Sequence, residues 1–304
     1  MISICIPIHN FYAYPLARRL SNQAKSANID VEIICIDDHS SGYYLTQNKG
    51  LSEVSQYIKL AENIGRARIR TLFLKYATGE YLLFLDDDSL VPDDKFLRKY
   101  SKAAESNPQV VVGGRTYDER GNDQEHKLRY LYGTRIESRP LEERRKHPYQ
   151  SFMTNNFMSR RDVLEQVKFD KRLYKYGHED TLFGYRLEQA GIQITHIDNP
   201  VVNGQIESNA EFLHKTVEAV ENMAVIYNYM WEDQRFCQSV RLLKAYGRVR
   251  SLGMHKLVYY AFKMMRSPME SHFVSGTGIS LRQYNFYKLG LFIKKQHFED
   301  TTFV

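Results

Sequence analysis

Only three cysteines occur in 304 residues, Cys5, Cys35 and Cys237, and none has the paired spacing of a zinc site. Two of them sit inside apolar runs, so free buried thiols in a reducing compartment are the expectation. No stretch reaches 18 uninterrupted apolar residues, which argues against a membrane-spanning helix. A cleaved secretion signal is not expected either, because the first strand pattern begins at Ile2 with no charged leader before it. The G-x-x-x-x-G-K-[ST], H-E-x-x-H and G-x-S-x-G patterns are missing. Pro7-Ile8-His9-Asn10 stands where a dinucleotide-binding G-x-G-x-x-G would follow the first strand.

What is present is the composition of a folded chain, 43% hydrophobic and 26% charged. Buried aromatic rings account for most of the 22 Tyr and 16 Phe. The charge is unevenly placed. From Arg235 onward 12 Lys/Arg stand against three Asp/Glu, a balance of +9 in a chain of net charge +6. The earlier part is therefore mildly acidic, and the basic carboxy-terminal part suggests an anionic partner.

The first 115 residues alternate strand and helix patterns. Ile2–Ile8, 31–36, 57–60, Tyr81–Leu85 and Val110–Val112 read as strands, the first two as apolar runs buried on both faces. Helical spacing covers 14–28, 65–77 and 93–105. This βαβα order predicts an α/β fold with a doubly wound, mostly parallel sheet. Residues 116–150 are polar and irregular and are expected to form a mobile loop. Beyond them come a strand at 152–158, helices from Arg161 and from Asp180, and a strand at 193–197. From Glu207 the pattern is almost wholly helical. The expected division is an α/β domain over 1–205, with a break near 115, and a basic helical region over 206–304.

In a parallel sheet, ligands bind beyond the carboxyl ends of the strands. Two acidic clusters fall there, Asp37-Asp38 and Asp86-Asp87-Asp88. Three adjacent carboxylates repel one another and are tolerated when a divalent cation or solvent takes up the charge. A metal-bound diphosphate and a solvated acidic turn are both compatible with that spacing. Asp37-Asp38 reads equally as a nucleoside contact or an Asx-turn. Gly65 followed by Arg66, Arg68 and Arg70 opens a helix whose N-terminus and guanidinium groups suit phosphate. Gly177-His178-Glu179-Asp180 opens another helix, where a carboxylate is either a favourable cap or a general base.

Taken together, these segments over residues 1–205 resemble the family 2 glycosyltransferases, the inverting group with the GT-A fold. Ile2 to Asn10 is similar to the family's opening strand, with Pro7 and His9 at its end. Glu32 to Ser40 is similar to its second strand, where the aspartate at Asp38 contacts the base. Asn63 to Arg70 matches the helix beneath the nucleotide, bringing in Gly65, Arg66 and Arg70. Gly79 to Asp88 matches the D-x-D strand, which implies that Asp86 and Asp88 hold the metal and that Asp86 and Asp87 lie against the nucleotide. Asn155-Asn156 resembles the acceptor-side strand, and Glu179-Asp180 the E-D motif, with Glu179 on the acceptor side and Asp180 as catalytic base. Where some relatives carry a metal-reaching histidine, this chain has Asn203. His196, inside an apolar strand, reads as structural.

The resemblance implies a single-sugar transferase that uses Mg²⁺ or Mn²⁺ and a nucleotide-sugar donor, UDP-sugar being favoured. The acceptor it implies is a glycan or a lipid-linked hydroxyl, in cell-surface polysaccharide synthesis. The absence of the Q-x-x-R-W signature argues against a polymerising synthase. In the tail, Lys256, Lys263 and Arg266 lie among Leu257, Val258, Tyr259, Tyr260, Phe262, Met264 and Met265. Peripheral membrane association at the cytoplasmic face and a solvated basic surface both fit that pattern. The alternatives are a sugar nucleotidyltransferase, which lacks its Gly-rich basic loop here, and a non-enzymatic polyanion-binding protein. No nucleic-acid partner is expected, since no such module is visible.

Overall fold

The structure, a computed structural model, describes residues 1–299. Residues 300–304, the end of the expected basic region, lie outside the described residues. Among the described residues ten strands form in chain order: β1 (Ile2–Ile8), β2 (Val31–Asp37), β3 (Gln56–Lys59), β4 (Tyr81–Leu85), β5 (Ser89–Leu90), β6 (Val110–Val112), β7 (Arg115–Thr116), β8 (Asn156–Arg160), β9 (Ile194–His196) and β10 (Val201–Asn203). Seven of them make one sheet in the order β3-β2-β1-β4-β8-β6-β9, and β5-β10-β7 make a second, small sheet.

The large sheet is mostly parallel, as its buried apolar strands predict. β1 pairs in parallel with β2 on one side and with β4 on the other. The strand order therefore reverses at β1, which opens a crevice between the carboxyl ends of β1 and β4. β8 alone runs backwards, antiparallel to both β4 and β6. That reversal sets its first residue, Asn156, opposite Leu85, the last residue of β4.

Alternation along β4 divides the core. Leu83 and Leu85 join a cluster with Ile4, Ile6, Leu20, Phe96 and Tyr100. Phe84, between them, stacks on Phe157 and meets Phe73 edge-on. Phe152 and Phe183 extend this aromatic layer.

Compactness divides the chain into two units. The first comprises Met1–Asp118, Thr134–Tyr174 and Glu179–Gln205, and it holds both sheets. The second comprises Glu119–Gly133, Lys175–His178 and the chain from Ile206 onward. It is helical, with long helices at Asn209–Met230, Arg241–Ser251, His255–Ser275 and Leu281–His297. Ser208 and Glu211 close a capping box at the start of the first of these. The helix His255–Ser275 packs closely on Leu281–His297, because Gly290 leaves room for the Phe262 ring.

Two expectations are corrected. The 116–150 stretch is not an open loop, since it contains helices at Lys127–Tyr132 and Leu141–Lys146. Its arginines partly turn inward. Arg144 is buried and donates to the carbonyls of Val112, Gly113 and Ile197. It thereby adds a second donor to the Val112 and Gly113 carbonyls, which already accept the Ile197 and Asn199 N–H groups. The strand expected at 152–158 begins only at Asn156, because the residues before it turn to bring Asn155 beside Asp86. The three thiols are free and buried, and burial pushes Cys35 up to about 12.

Candidate functional site

The three aspartates lie where β4 ends at the crevice, and their surroundings differ. Asp86 is buried and held by two guanidinium groups. Arg70 donates to its Oδ1 at 2.8 Å and Arg66 to its Oδ2 at 3.1 Å. Burial raises its pKa, but the arginines prevail and hold it below the usual carboxylate range. Arg70 also lies 3.5 Å from Glu179 Oε1, so it joins the β4 end to the helix Glu179–Gln189.

Asp87 accepts the backbone N–H of His9 at 3.1 Å, which ties the β4 end to the β1 end. Burial, then the charges of Asp88 and Asp86, push its carboxyl up to about 8. Asp88 is engaged from the small sheet. Asn203, at the end of β10, donates to its Oδ2 at 2.7 Å, and Arg115, at the start of β7, lies 3.9 Å away. The loop carrying Asn203 therefore does reach the triplet, through an amide. The carbonyl Oδ1 atoms of Asn203 and Asn155 are both buried without a hydrogen-bond partner among the described residues.

Asp38 sits at the end of β2 with both carboxylate oxygens occupied by a helix N-terminus. Ile64 N–H donates to Oδ1 at 2.7 Å and Gly65 N–H to Oδ2 at 3.0 Å. Gly65 adopts a left-handed φ of 79°, and a Cβ there would lie 2.7 Å from the Tyr174 carbonyl oxygen. Glycine alone fits. The His9 ring meets the Asp38 carbonyl through Nδ1 at 2.9 Å. Pro7, half-buried, lies in β1 paired with Ile36. Asp37 is also occupied, accepting from Ser40 N–H and the Tyr57 hydroxyl.

On the other side of the crevice, Asn155 accepts Asp86 N–H through its backbone oxygen at 3.2 Å. Asn156, expected on the acceptor side, is corrected. Its side chain has no exposure, donates to the Gly114 and Asn199 carbonyls and accepts the Tyr100 hydroxyl at 2.6 Å. It is a buried clamp that offers nothing to a ligand. Arg70, expected at the phosphates, is 2% exposed and lies between two carboxylates.

Asp180 opens the helix Glu179–Gln189 and is half-buried. Thr181 N–H donates to its Oδ1 at 2.6 Å. Burial first, then the charges of Glu179 and Glu137, push its carboxyl up to about 7. Its charge therefore changes near neutral pH. His196 is structural, as expected. It is buried, bonded to Arg144 and to the Pro148 carbonyl, and pushed down to about 4 by burial.

Residues 3–168, more than half of the chain, match the profile of Glycosyl transferase family 2. The chain belongs to that family. It is also similar to the poly(ribitol-phosphate) beta-glucosyltransferase of Bacillus spizizenii, 32% identical over 37% of this chain and 18% of that protein. The chain matches less than two thirds of the length of the curated relatives it resembles. Among solved structures it resembles the mannosyltransferase PcManGT from Pyrobaculum calidifontis, in complex with GDP-Man and Mn²⁺. The TM-score is 0.56 at 13% identity, over 97% of this chain and 87% of that one. TarS 1–349 of S. aureus in complex with UDP-GlcNAc gives 0.50 at 16% identity, over 97% and 91%. At these identities the likeness establishes the fold alone: the chain has the GT-A architecture.

The donor set fits the divalent cation that the family implies. Hard carboxylate oxygens crowd together: burial, then the charges of Asp88 and Asp86, raise the pKa of Asp87 even though Arg66 opposes the rise, and the buried Asn155 and Asn203 carbonyl oxygens lack a hydrogen-bond partner among the described residues. No group of three or more His, Cys, Asp or Glu forms a ready metal cage among the described residues. Mg²⁺ and Mn²⁺ sites completed by substrate phosphate need no such cage.

Sequence reasoning missed Arg115. Its signal is a cation placed just after the apolar Val110–Val112 strand and two glycines, beyond the strand's carboxyl end where ligands bind in α/β sheets.

Proposed function

We propose that this enzyme moves one sugar from a nucleotide-sugar donor, a UDP-sugar by preference, to the hydroxyl of a glycan or lipid-linked acceptor, with inversion. The single observation that carries this is Asp180, a carboxyl pushed up to about 7 in the same compact unit as the Asp86–Asp88 triplet. In this reading the base and ribose lie over the ends of β1 and β2, against Pro7, His9 and the Asp38-capped Gly65 turn. Asp88 and Asp86 would hold Mg²⁺ or Mn²⁺, which when bound supplies Lewis-acid neutralisation of the diphosphate charge. Arg66, its side chain 40% exposed, lies at the triplet and adds positive charge beside the departing group.

Asp180 takes the proton of the acceptor hydroxyl. The acceptor oxygen forms its bond to the anomeric carbon while the bond from that carbon to the diphosphate oxygen breaks on the opposite face. The electron pair leaves with the nucleoside diphosphate, and the configuration inverts. Asn155 and Glu179 border the acceptor side. The naming of a poly(ribitol-phosphate) glucosyltransferase among the relatives supports a cell-surface polymer as acceptor.

A hydrolysis screen over nucleotide sugars with Mn²⁺ or Mg²⁺ identifies the donor. With that donor, Asp180→Asn should lower turnover by about 10²–10⁴-fold and leave the donor Kd within a factor of about two. Near-normal turnover in the Asn variant would reject Asp180 as the base.

A further inference from the structure

The helix His255–Ser275 is apolar on two opposite sides: one is packed inside its unit, and the other stays largely exposed, with the Tyr260 ring meeting that of Phe298 edge-on at 6.4 Å. Phe262, Met269 and Phe273 are buried on one side, with Phe262 and Phe273 packed on the Tyr287 ring of the neighbouring helix. Lys256, Leu257, Tyr260, Lys263 and Met264 cover the other. At 3.6 residues per turn these five span about 120° of the circumference. Leu257 is 64% exposed and Met264 82%. The stripe continues into the preceding turn with Leu252, which is 71% exposed, and Met254.

An ordinary surface helix turns its polar face to water. This one turns large apolar side chains outward and sets lysines between them. From Arg241 to Ser275 there are seven Lys/Arg and one acidic residue, Glu270. Glu270 accepts from Arg266 and from the Tyr287 hydroxyl. Lys256 and Lys263 form no ion pair among the described residues.

We propose that this face, Leu252–Met264, docks on an anionic lipid bilayer, with Leu257, Tyr260 and Met264 entering the headgroup boundary and Lys256 and Lys263 meeting lipid phosphates. Interfacial helices have this combination of an apolar stripe and flanking cations. A soluble polyanion would match the charge but not the exposed Leu and Met. A second copy of this chain would match the apolar residues but bring like charge against like. No described helix is long and apolar enough to cross a membrane. The proposal does not depend on the roles of Asp88 and Asp180.

The test is co-sedimentation of the full chain with phosphatidylcholine vesicles, with and without phosphatidylglycerol, at low and high salt. Binding is expected only with phosphatidylglycerol and should weaken as salt rises. Lys256→Gln with Lys263→Gln should lower affinity by about 25-fold, about fivefold for each charge lost. Leu257→Ser with Met264→Ser should lower it by about tenfold or more. Both variants should keep the parent's donor-hydrolysis rate and circular dichroism, since all four side chains face outward. Absence of phosphatidylglycerol-dependent binding at low salt overturns the proposal. So does full vesicle binding by the Leu257→Ser/Met264→Ser variant, which would indicate charge alone. So does self-association through this face, seen by sedimentation velocity and lost in either variant, in the absence of vesicle binding.

Discussion

Arg70 has one guanidinium group and two carboxylates around it. With Asp86 at 2.8 Å and Glu179 at 3.5 Å, it is a positive charge that the two acids share. A buried pair broken on one side leaves uncompensated charge, so Arg70→Met should cost about 3–5 kcal/mol of unfolding free energy, read by urea denaturation. A loss below about 1 kcal/mol would place the pair in the class of screened surface bridges. Asp180 makes a second prediction. As the proposed base it must be ionised, so kcat/KM should rise with pH to a plateau above about 7, and that acid limb should vanish in Asp180→Asn. The stability effect has the opposite sense. The folded-state pKa is raised above the unfolded value of about 4, so the stability linked to the protonated form is present below about pH 4 and is lost as pH rises through about 7. Asp180→Asn should therefore melt higher than the parent at pH 8, with the gain shrinking toward pH 4.

Among the elements, the helix Arg66–Tyr76 depends on its first turn. Gly65 supplies a left-handed φ, a close approach to Tyr174 and an N–H for Asp38. Gly65→Ala should cost about 1–2 kcal/mol for the left-handed backbone alone, with the Tyr174 contact adding to it. A thermal melt reads the stability, and a titration with UDP reads the expected loss of donor affinity as the Asp38 cap shifts. β8 matters through its direction. Because it runs against β4, its start lies beside the end of β4, and Asn155 comes to Asp86. Asn156 holds that start in place. Asn156→Ala removes a donor from the Gly114 and Asn199 carbonyls and the 2.6 Å acceptor of the Tyr100 hydroxyl; Gly114 keeps the Val201 N–H and Tyr100 a 3.4 Å bond to the Asn156 backbone oxygen, so a cost of about 1–3 kcal/mol is expected, chiefly from the Asn199 carbonyl.

For the whole molecule, ligand binding to the folded state raises apparent stability. At a free ligand concentration of about 100 Kd the gain is about 2.7 kcal/mol. UDP with Mn²⁺ should raise the Tm more than UDP alone, and EDTA should remove the difference. Asp88→Asn should abolish the Mn²⁺-dependent part while leaving the response to UDP alone.

The sequence by itself determined the strands and helices with strong local patterns. The apolar runs at β1, β4 and β6, the helical spacing of 66–76 and the amphipathic 209–230 are periodicities that a chain carries within ten or twenty residues. It also determined that Asp38, the Asp86–Asp88 triplet and Asp180 follow strand ends or open helices, because turn chemistry and acidic clusters are local too. Only the tertiary structure decided which groups meet. Asn203 reaches Asp88 across 115 positions and Asn156 meets Tyr100 across 56. An apolar run has no direction written in it, so the reversal of β8 could not be read. Nor could the inward turn of Arg70 and Arg144, since a charged residue in a polar stretch looks the same whether it faces water or a buried carboxylate. Long-range pairing settles these points, and it exists only once the elements pack.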